Sequence, residues 1–310
     1  MLEIYNLVKV FGKFKAVDNL NLRINDGTIF GFVGPNGAGK TTTMKITAGL
    51  MDATLGQIII NGINAAGNRD ILKDKIGYMP DFFGVYDNLK VSEYMDFYAG
   101  AYYIPYEERE DIINNLLELV DLTEKKDSYV DVLSRGMKQR LCLARSLVHD
   151  PDVLILDEPA SGLDPRARVE MKEVLKQLKT LGKTIIISSH ILPELAELCT
   201  EIGIINHGRI VAQGTVNDIM MNISSERVII IKTMGQRDRL KILLSQIPNV
   251  RNITEKVDEV EFGFVGSDAE MQHIISEIVR NGIPLVSFSE KEGNLEDIFM
   301  KLTEERGNAV

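Results

Sequence analysis

The octapeptide Gly34-Pro35-Asn36-Gly37-Ala38-Gly39-Lys40-Thr41 satisfies GxxxxGK[ST], and the apolar residues 28–33 just before it read as the strand this spacing requires. The residue types fit one chemistry. Glycines let backbone N–H groups fold around phosphate oxygens at a helix N-terminus, Lys40 reaches the β- and γ-oxygens, and the Thr41 hydroxyl ligates Mg²⁺. Thr42 and Thr43 continue the run into the helix. A second element is Leu154-Ile155-Leu156-Asp157-Glu158, an apolar strand ending in two carboxylates where an α/β sheet places its ligand crevice. Asp157 suits a contact to Mg²⁺ or its water. Glu158 is then placed to orient and deprotonate an attacking water, the general-base task of phosphoryl hydrolysis. Glu304-Glu305 is also a carboxylate pair, but it reads as a solvated helix end.

Buried strands and intervening helices must position these groups. Residues 153–156 and 184–187 are apolar without alternation and are bounded by Asp-Pro and Gly-Lys, as expected of strands covered on both faces of a parallel sheet. Leu20, Leu22 and Ile24 alternate with polar residues up to Asp26-Gly27, a spacing that predicts a hairpin into residues 28–33. Between about residues 81 and 150 strand signals cease and helical periods such as Leu116, Leu119 and Val120 take over, which predicts a helical subdomain. Beyond about Thr215 the pattern changes again. Residues 228–232, 250–254, 260–265 and 283–288 read as strands. Leu240, Leu243, Leu244 and Ile247 mark one helix; Met271, Ile274, Ile275 and Ile278 mark another, opened by the capping box Ser267-x-x-Glu270 and closed by Asn281-Gly282. Leu295, Ile298, Phe299 and Leu302 predict a terminal helix. The order βαββαβα predicts a small ferredoxin-like split βαβ domain. The expected division is residues 1–215 and 216–310, with the helical subdomain at about 81–150.

Composition bounds the partners. The 310 residues are 45% apolar and 26% charged, which suits a packed chain of about two domains. A net charge of −10 repels polyanions, so nucleic acid is not an expected partner. Cys142 and Cys199 lack metal-site spacing and read as small core hydrophobes in a reducing compartment. Neither a secretion signal nor a membrane-spanning run is present, so any membrane role is expected to come through another chain.

Further motifs divide the phosphate-loop proteins. A GTPase would need an [NT]KxD element, and there is none. Leu133-Ser134-Arg135-Gly136-Met137-Lys138-Gln139-Arg140 resembles the signature loop of ABC ATPases, Ser161-Gly162-Leu163-Asp164 their D-loop, and Ser188-Ser189-His190 their switch strand and histidine. Phe11-Gly12 stands where an adenine-stacking aromatic is usual. Over residues 2–215 the chain thus resembles an ABC-family nucleotide-binding domain. The resemblance implies an α/β P-loop NTPase with a RecA-like core, an antiparallel β subdomain and an inserted helical subdomain, followed here by the small α+β domain. It also implies an ATPase that uses ATP and Mg²⁺. Two copies, expected as a homodimer, would sandwich two nucleotides, with Phe11, the loop from Gly34 to Thr43, Asp157, Glu158 and His190 from one chain and Ser134, Gly136 and Asp164 from the other.

Two positions depart from the family pattern. Asp81, after Ile76-Gly77-Tyr78-Met79-Pro80, replaces the Gln of the Q-loop and becomes a third candidate metal ligand beside Thr41 and Asp157; its plain alternative is a helix cap. Arg135 replaces the first Gly of the signature and is read as an added cation in an active site. Nine of the 20 aromatic residues fall between Phe82 and Tyr106, where the family accepts a coupling helix from a transmembrane permease. Tyr98 is taken as an exposed member of this set. The run from Ile29 to Lys45 and the acidic C-terminal segment Leu295-Glu296-Asp297-Ile298-Phe299 resemble ATPases of the drug-and-antibiotic exporter branch, which pair with ABC-2-type permeases. The reading is an ATP-hydrolysing export subunit, peripheral on the cytoplasmic face of the membrane. Its rivals are a soluble ABC ATPase of translation or repair, and a regulatory module that senses ATP with little turnover.

Overall fold

The computed structural model describes residues 1–64, 69–82, 84, 86–189, 192–223, 227–256 and 258–290. The chain begins with β1 (Leu2–Phe11), β2 (Phe14–Ile24), β3 (Ile29–Val33) and α1 (Lys40–Thr47), followed by β4 (Leu55–Ile60), β5 (Ile63–Asn64), α2 (Arg69–Lys75) and β6 (Ile76–Met79). Three helices come next, α3 (Val91–Ala101), α4 (Tyr106–Leu119) and α5 (Arg135–Leu147). Then come β7 (Val153–Asp157), α6 (Pro165–Thr180), β8 (Thr184–Ser189), α7 (Leu192–Leu198), β9 (Glu201–Asn206) and β10 (Arg209–Thr215). After α8 (Val216–Ile223) the chain continues through β11 (Arg227–Thr233), α9 (Arg237–Ser245), β12 (Val250–Glu255), β13 (Val260–Phe264), α10 (Asp268–Arg280) and β14 (Leu285–Glu290). It divides into two compact units, Met1–Val216 and Asn217–Val310.

In the first unit β3, β7 and β8 are buried at every position, so each must be covered on both faces. They lie side by side with β6 and β9 in parallel pairing, in the order β10-β9-β3-β8-β7-β6, and β10 closes the edge antiparallel to β9. A second, antiparallel sheet has the order β2-β1-β4-β5. Phe30, Phe32, Ile155, Ile186 and Ile205 of the first sheet join Leu7, Val17 and Leu20 of the second in one apolar cluster, which also takes in Met44 and Ile46 of α1. The helix behind the phosphate loop is therefore wedged into the core.

The hairpin expected at Asp26-Gly27 is not formed. The two strands it would join lie in different sheets, because β3 is flanked by β8 and β9 and has no free edge for β2. Instead β2 folds back on β1 through Gly12-Lys13, which places Phe11 opposite Phe14. Two further tight turns, Asn61-Gly62 and His207-Gly208, have left-handed φ at both central residues, as two-residue hairpins favour.

Between β6 and β7 no strand occurs among the described residues, apart from an isolated bridge from Lys90 to Tyr129. Tyr94, Met95 and Ala99 of α3 and Leu117 of α4 are fully buried. The aromatic cluster sorts into two faces. Phe82, Tyr86, Phe97, Tyr103 and Tyr106 are exposed; Tyr94 is buried, Tyr98 and Tyr102 are half-buried, and Phe83 lies outside the described residues. Tyr98 is thus not the exposed residue it was expected to be. The Arg145 guanidinium sits 5.0 Å from its ring centroid and donates to its hydroxyl at 3.4 Å, which draws the ring into the packed side of α3. Cys142 and Cys199 are free and buried, and burial pushes their thiols up to about 11 and about 12.

The second unit has a four-stranded antiparallel sheet in the order β12-β13-β11-β14. Ile229, Ile231, Phe262 and Phe264 from its strands pack with Leu240 and Leu244 of α9 and Met271, Ile274 and Ile278 of α10. The capping box at α10 is made in both directions: Glu270 N donates to Ser267 Oγ at 3.4 Å and Ser267 N to Glu270 Oε2 at 2.7 Å. The terminal helix expected from Leu295, Ile298, Phe299 and Leu302 lies outside the described residues. No helix among the described residues is long and apolar enough to cross a membrane.

Candidate active site

β3 ends at Val33, and the chain turns through residues 34–39 into α1. Gly39 has φ 107°, and a Cβ there would lie 2.5 Å from Ala16 O; at Gly34 a Cβ would lie 2.5 Å from Ile205 O. Glycine at these two positions lets the loop press against the backbones of β2 and β9. Lys40 is 8% exposed and donates from Nζ to Gly34 O at 2.6 Å and Pro35 O at 3.2 Å. Burial holds its amine below the usual lysine range, opposed by the negative charges of Glu158 and Asp157. A cation so placed answers an anion entering the cleft.

The carboxylates come from the end of β7. Asp157, 2% exposed, accepts at Oδ1 from Ser188 Oγ at 2.6 Å and from Thr41 Oγ1 at 3.2 Å. The Ser188 oxygen in turn accepts from Glu158 N at 2.9 Å. This hydroxyl on the neighbouring strand therefore fixes both acids, one through its side chain and the other through its backbone. Glu158 has φ 52°, a left-handed backbone that turns the chain sharply after the strand.

A cleft of about 500 Å³ collects Phe11, Asn36, Gly37, Ala38, Gly39, Lys40, Thr41, Thr42, Asp81, Asp157 and Glu158. Gly34 and Pro35 stand at the root of the loop, where their carbonyls hold Lys40. Ser134, Gly136 and Asp164 do not line this cleft. Ser134 caps α5 by accepting from Met137 N, Asp164 caps α6 by accepting from Ala167 N, and Gly136 packs where a Cβ would lie 2.9 Å from that of Ala167. His190 lies outside the described residues.

Four residues of this region were given no role in the sequence reading, although two of them stood in its motifs, Ser161 in the D-loop and Ser188 in the switch strand. Phe14, Ala16 and Ser161 also line the cleft, and Ser188 bridges the two acids. Phe14 was readable in principle, since Phe-Gly-Lys-Phe around a two-residue turn sets the rings opposite each other. Ser188 was marked only by its place in the switch-strand motif, because its bridging role depends on β8 lying beside β7. No group of three or more His, Cys, Asp or Glu able to hold a metal occurs among the described residues. The adjacent Thr41 hydroxyl and Asp157 carboxylate are hard oxygen donors, and such a pair suits Mg²⁺ when phosphate and water supply its other ligands.

Residues 17–161 match the ABC transporter family, and residues 214–303 match the C-terminal domain of DrrA1-3-like ATP-binding proteins. The chain is 32% identical to the linearmycin resistance ATP-binding protein LnrL of Bacillus subtilis (strain 168), with 98% of each chain covered. It is 34% identical to the bacitracin transport ATP-binding protein BcrA of Bacillus licheniformis over 96% of this chain and 95% of that one. It is 33% identical to the Nod factor export ATP-binding protein I of Cupriavidus metallidurans over 98% and 97%. Among solved structures, an ATP-binding subunit of an ABC transporter superposes with a TM-score of 0.65 at 31% identity, covering 72% of this chain and 92% of that one. A dimeric ATP-binding cassette in a post-hydrolysis state with ADP and Pi gives 0.63 at 26% identity, covering 70% and 99%.

Proposed function

We propose, from the premise that the chain belongs to the ABC transporter family of ATP-binding subunits, that it hydrolyses ATP to drive export through separate transmembrane permease subunits. The observation that carries the reading is the convergence of Lys40, Thr41, Asp157 and Glu158 on one cleft with Phe11 at its rim. In this reading the Phe11 ring stacks on adenine, and Phe14 adds a second apolar face. The N–H groups of residues 36–42 and the Lys40 ammonium hold the phosphates. Thr41 and Asp157 would hold Mg²⁺, with Asp81 at the cleft edge as a further candidate; the ion when bound neutralises charge on the β- and γ-phosphates. Glu158 takes a proton from the attacking water, and Ser188 keeps its backbone in place. His190 is read as a γ-phosphate contact from its place after β8.

Ser134, Gly136 and Asp164 fit the resemblance as contributions to the site of a second copy, since they lie outside the cleft of their own chain. The dimeric cassette with ADP and Pi supports that arrangement, and we read the partner as an identical chain. The names of the relatives, which concern antibiotic resistance, bacitracin transport and Nod factor export, support the exporter branch; the ABC-2-type permease is read from the sequence resemblance to that branch. We read the chain's location, as for an ATP-binding subunit of this family, as the cytoplasmic face of the membrane. The exposed aromatics Phe82, Tyr86 and Phe97 are the surface offered to that permease. The strand order of the second unit supports a ferredoxin-like domain at residues 216–310.

The test is Mg-ATP hydrolysis by the purified chain beside Glu158→Gln. Turnover that the substitution reduces at least about 100-fold, with nucleotide binding retained, is the expected result. Equal rates in the two proteins would remove Glu158 from its role, and binding without turnover in the parent chain would favour an ATP-sensing module.

A further inference from the structure

The start of α5 and the turn after β7 meet at one carbonyl. Arg135 Nη2 donates to Ser161 O at 3.0 Å, and Gln139 Nε2, one helical turn later and 2% exposed, donates to the same oxygen at 3.2 Å. Gly162 seats the guanidinium: its φ is +66°, and a Cβ there would lie 2.4 Å from Arg135 Cζ. The same turn carries Glu158. Ser161 N donates to Glu158 O at 3.0 Å, and Ser161 lines the nucleotide cleft, whereas Arg135 does not. Glu158, at φ 52°, is in a conformation that persists only where its surroundings over-determine it.

We infer that Arg135 is a positioning residue for hydrolysis: with Gln139 it pins the Ser161 carbonyl, so that the N-terminus of α5 and the turn bearing Glu158 move as one body. A planar fork lying against a bare glycine and donating to a carbonyl suits arginine, whereas the compact ammonium of lysine cannot cover the same face. The inference rests on the reading of Glu158 as the base. To that reading it adds a link within one chain, from the helix end that presents Ser134 to the carboxylate of the chain's own cleft. The arginine that departs from the family signature is thereby a structural part of the site rather than a spare charge.

Steady-state Mg-ATP hydrolysis by the full chain tests this with Arg135→Gly, Arg135→Lys, Gly162→Ala and the Arg135→Gly/Gly162→Ala double variant. Arg135→Gly should lower kcat on the order of fivefold, the size expected for one solvent-screened charged contact, with KM for ATP within about twofold of the parent. Arg135→Lys should not restore the rate. Gly162→Ala, which displaces the guanidinium from the other side, should lower kcat similarly, and the double variant should be no slower than the slower single. Unchanged kcat in the single variants overturns the inference, as does full additivity in the double. So does a raised KM in Arg135→Gly that lysine restores, because that would make Arg135 a charge contact to nucleotide. Thermal melts and nucleotide binding establish that each variant is folded. A parent chain whose hydrolysis does not depend on Glu158 overturns both readings, whereas a Glu158-dependent parent with indifferent variants overturns this one alone.

Discussion

Ser188 sits between the two acids, and much of the site's geometry depends on it. Its hydroxyl donates to Asp157 and accepts from the Glu158 amide. Ser188→Ala therefore leaves a half-buried amide without this partner and takes a donor from a buried carboxylate, the latter costing about 1–3 kcal/mol. The expected outcome is a folded chain whose kcat falls on the order of tenfold and which needs more Mg²⁺ for half its maximal rate, read from hydrolysis against Mg²⁺ concentration. Affinity for nucleotide, which the loop supplies, should stay within about twofold in equilibrium titration. Residues whose constraint is local were legible in the sequence. Gly39, Lys40 and Thr41 announce themselves because a phosphate loop needs them at fixed spacing between a strand and a helix. The Ser188 bridge and the Arg135 contact were not legible, because each depends on which distant segment lies alongside.

The same distinction holds for secondary-structure elements. The buried runs at β7 and β8 were readable because a strand covered on both faces has no reason to alternate. The Ser267 cap was readable because its two hydrogen bonds span only three residues. Asp26-Gly27 misled, since a turn dipeptide reports a change of direction and not whether the following strand stays in the same sheet. Pairing was settled by β3, whose complete burial requires a neighbour on each side. At this scale the cap gives a clean measurement. Ser267→Ala should destabilise the second unit by about 1 kcal/mol in denaturant unfolding and leave ATP hydrolysis unchanged.

For the molecule as a whole, the outer aromatics matter more than the net charge. Phe97 is 51% exposed and packs edge-on against Tyr86 and Tyr98 without carrying the core of α3. Phe97→Ala should reduce recovery of a multi-spanning partner in detergent co-purification from native membranes by several-fold, on the order expected for one interface anchor. Its hydrolysis without the partner should match the parent, and undiminished recovery would move the docking surface elsewhere. Tyr98→Ala is the informative contrast: it removes the ring beside Arg145, so lost binding would come with a lower melting temperature. The net charge is −10, yet the cleft that would hold the polyphosphate is lined by Lys40 and the loop from Asn36 to Thr42, so the anion would be met locally.

A hydroxyl near a triphosphate is itself an acceptor for the phosphoryl group, and a serine that took it would leave a covalently modified, stalled protein. Here Ser188 is fully buried and does not line the cleft, so its oxygen is not presented as a nucleophile. A cycle that uses water as the acceptor then ends with free products instead of an ester at this serine.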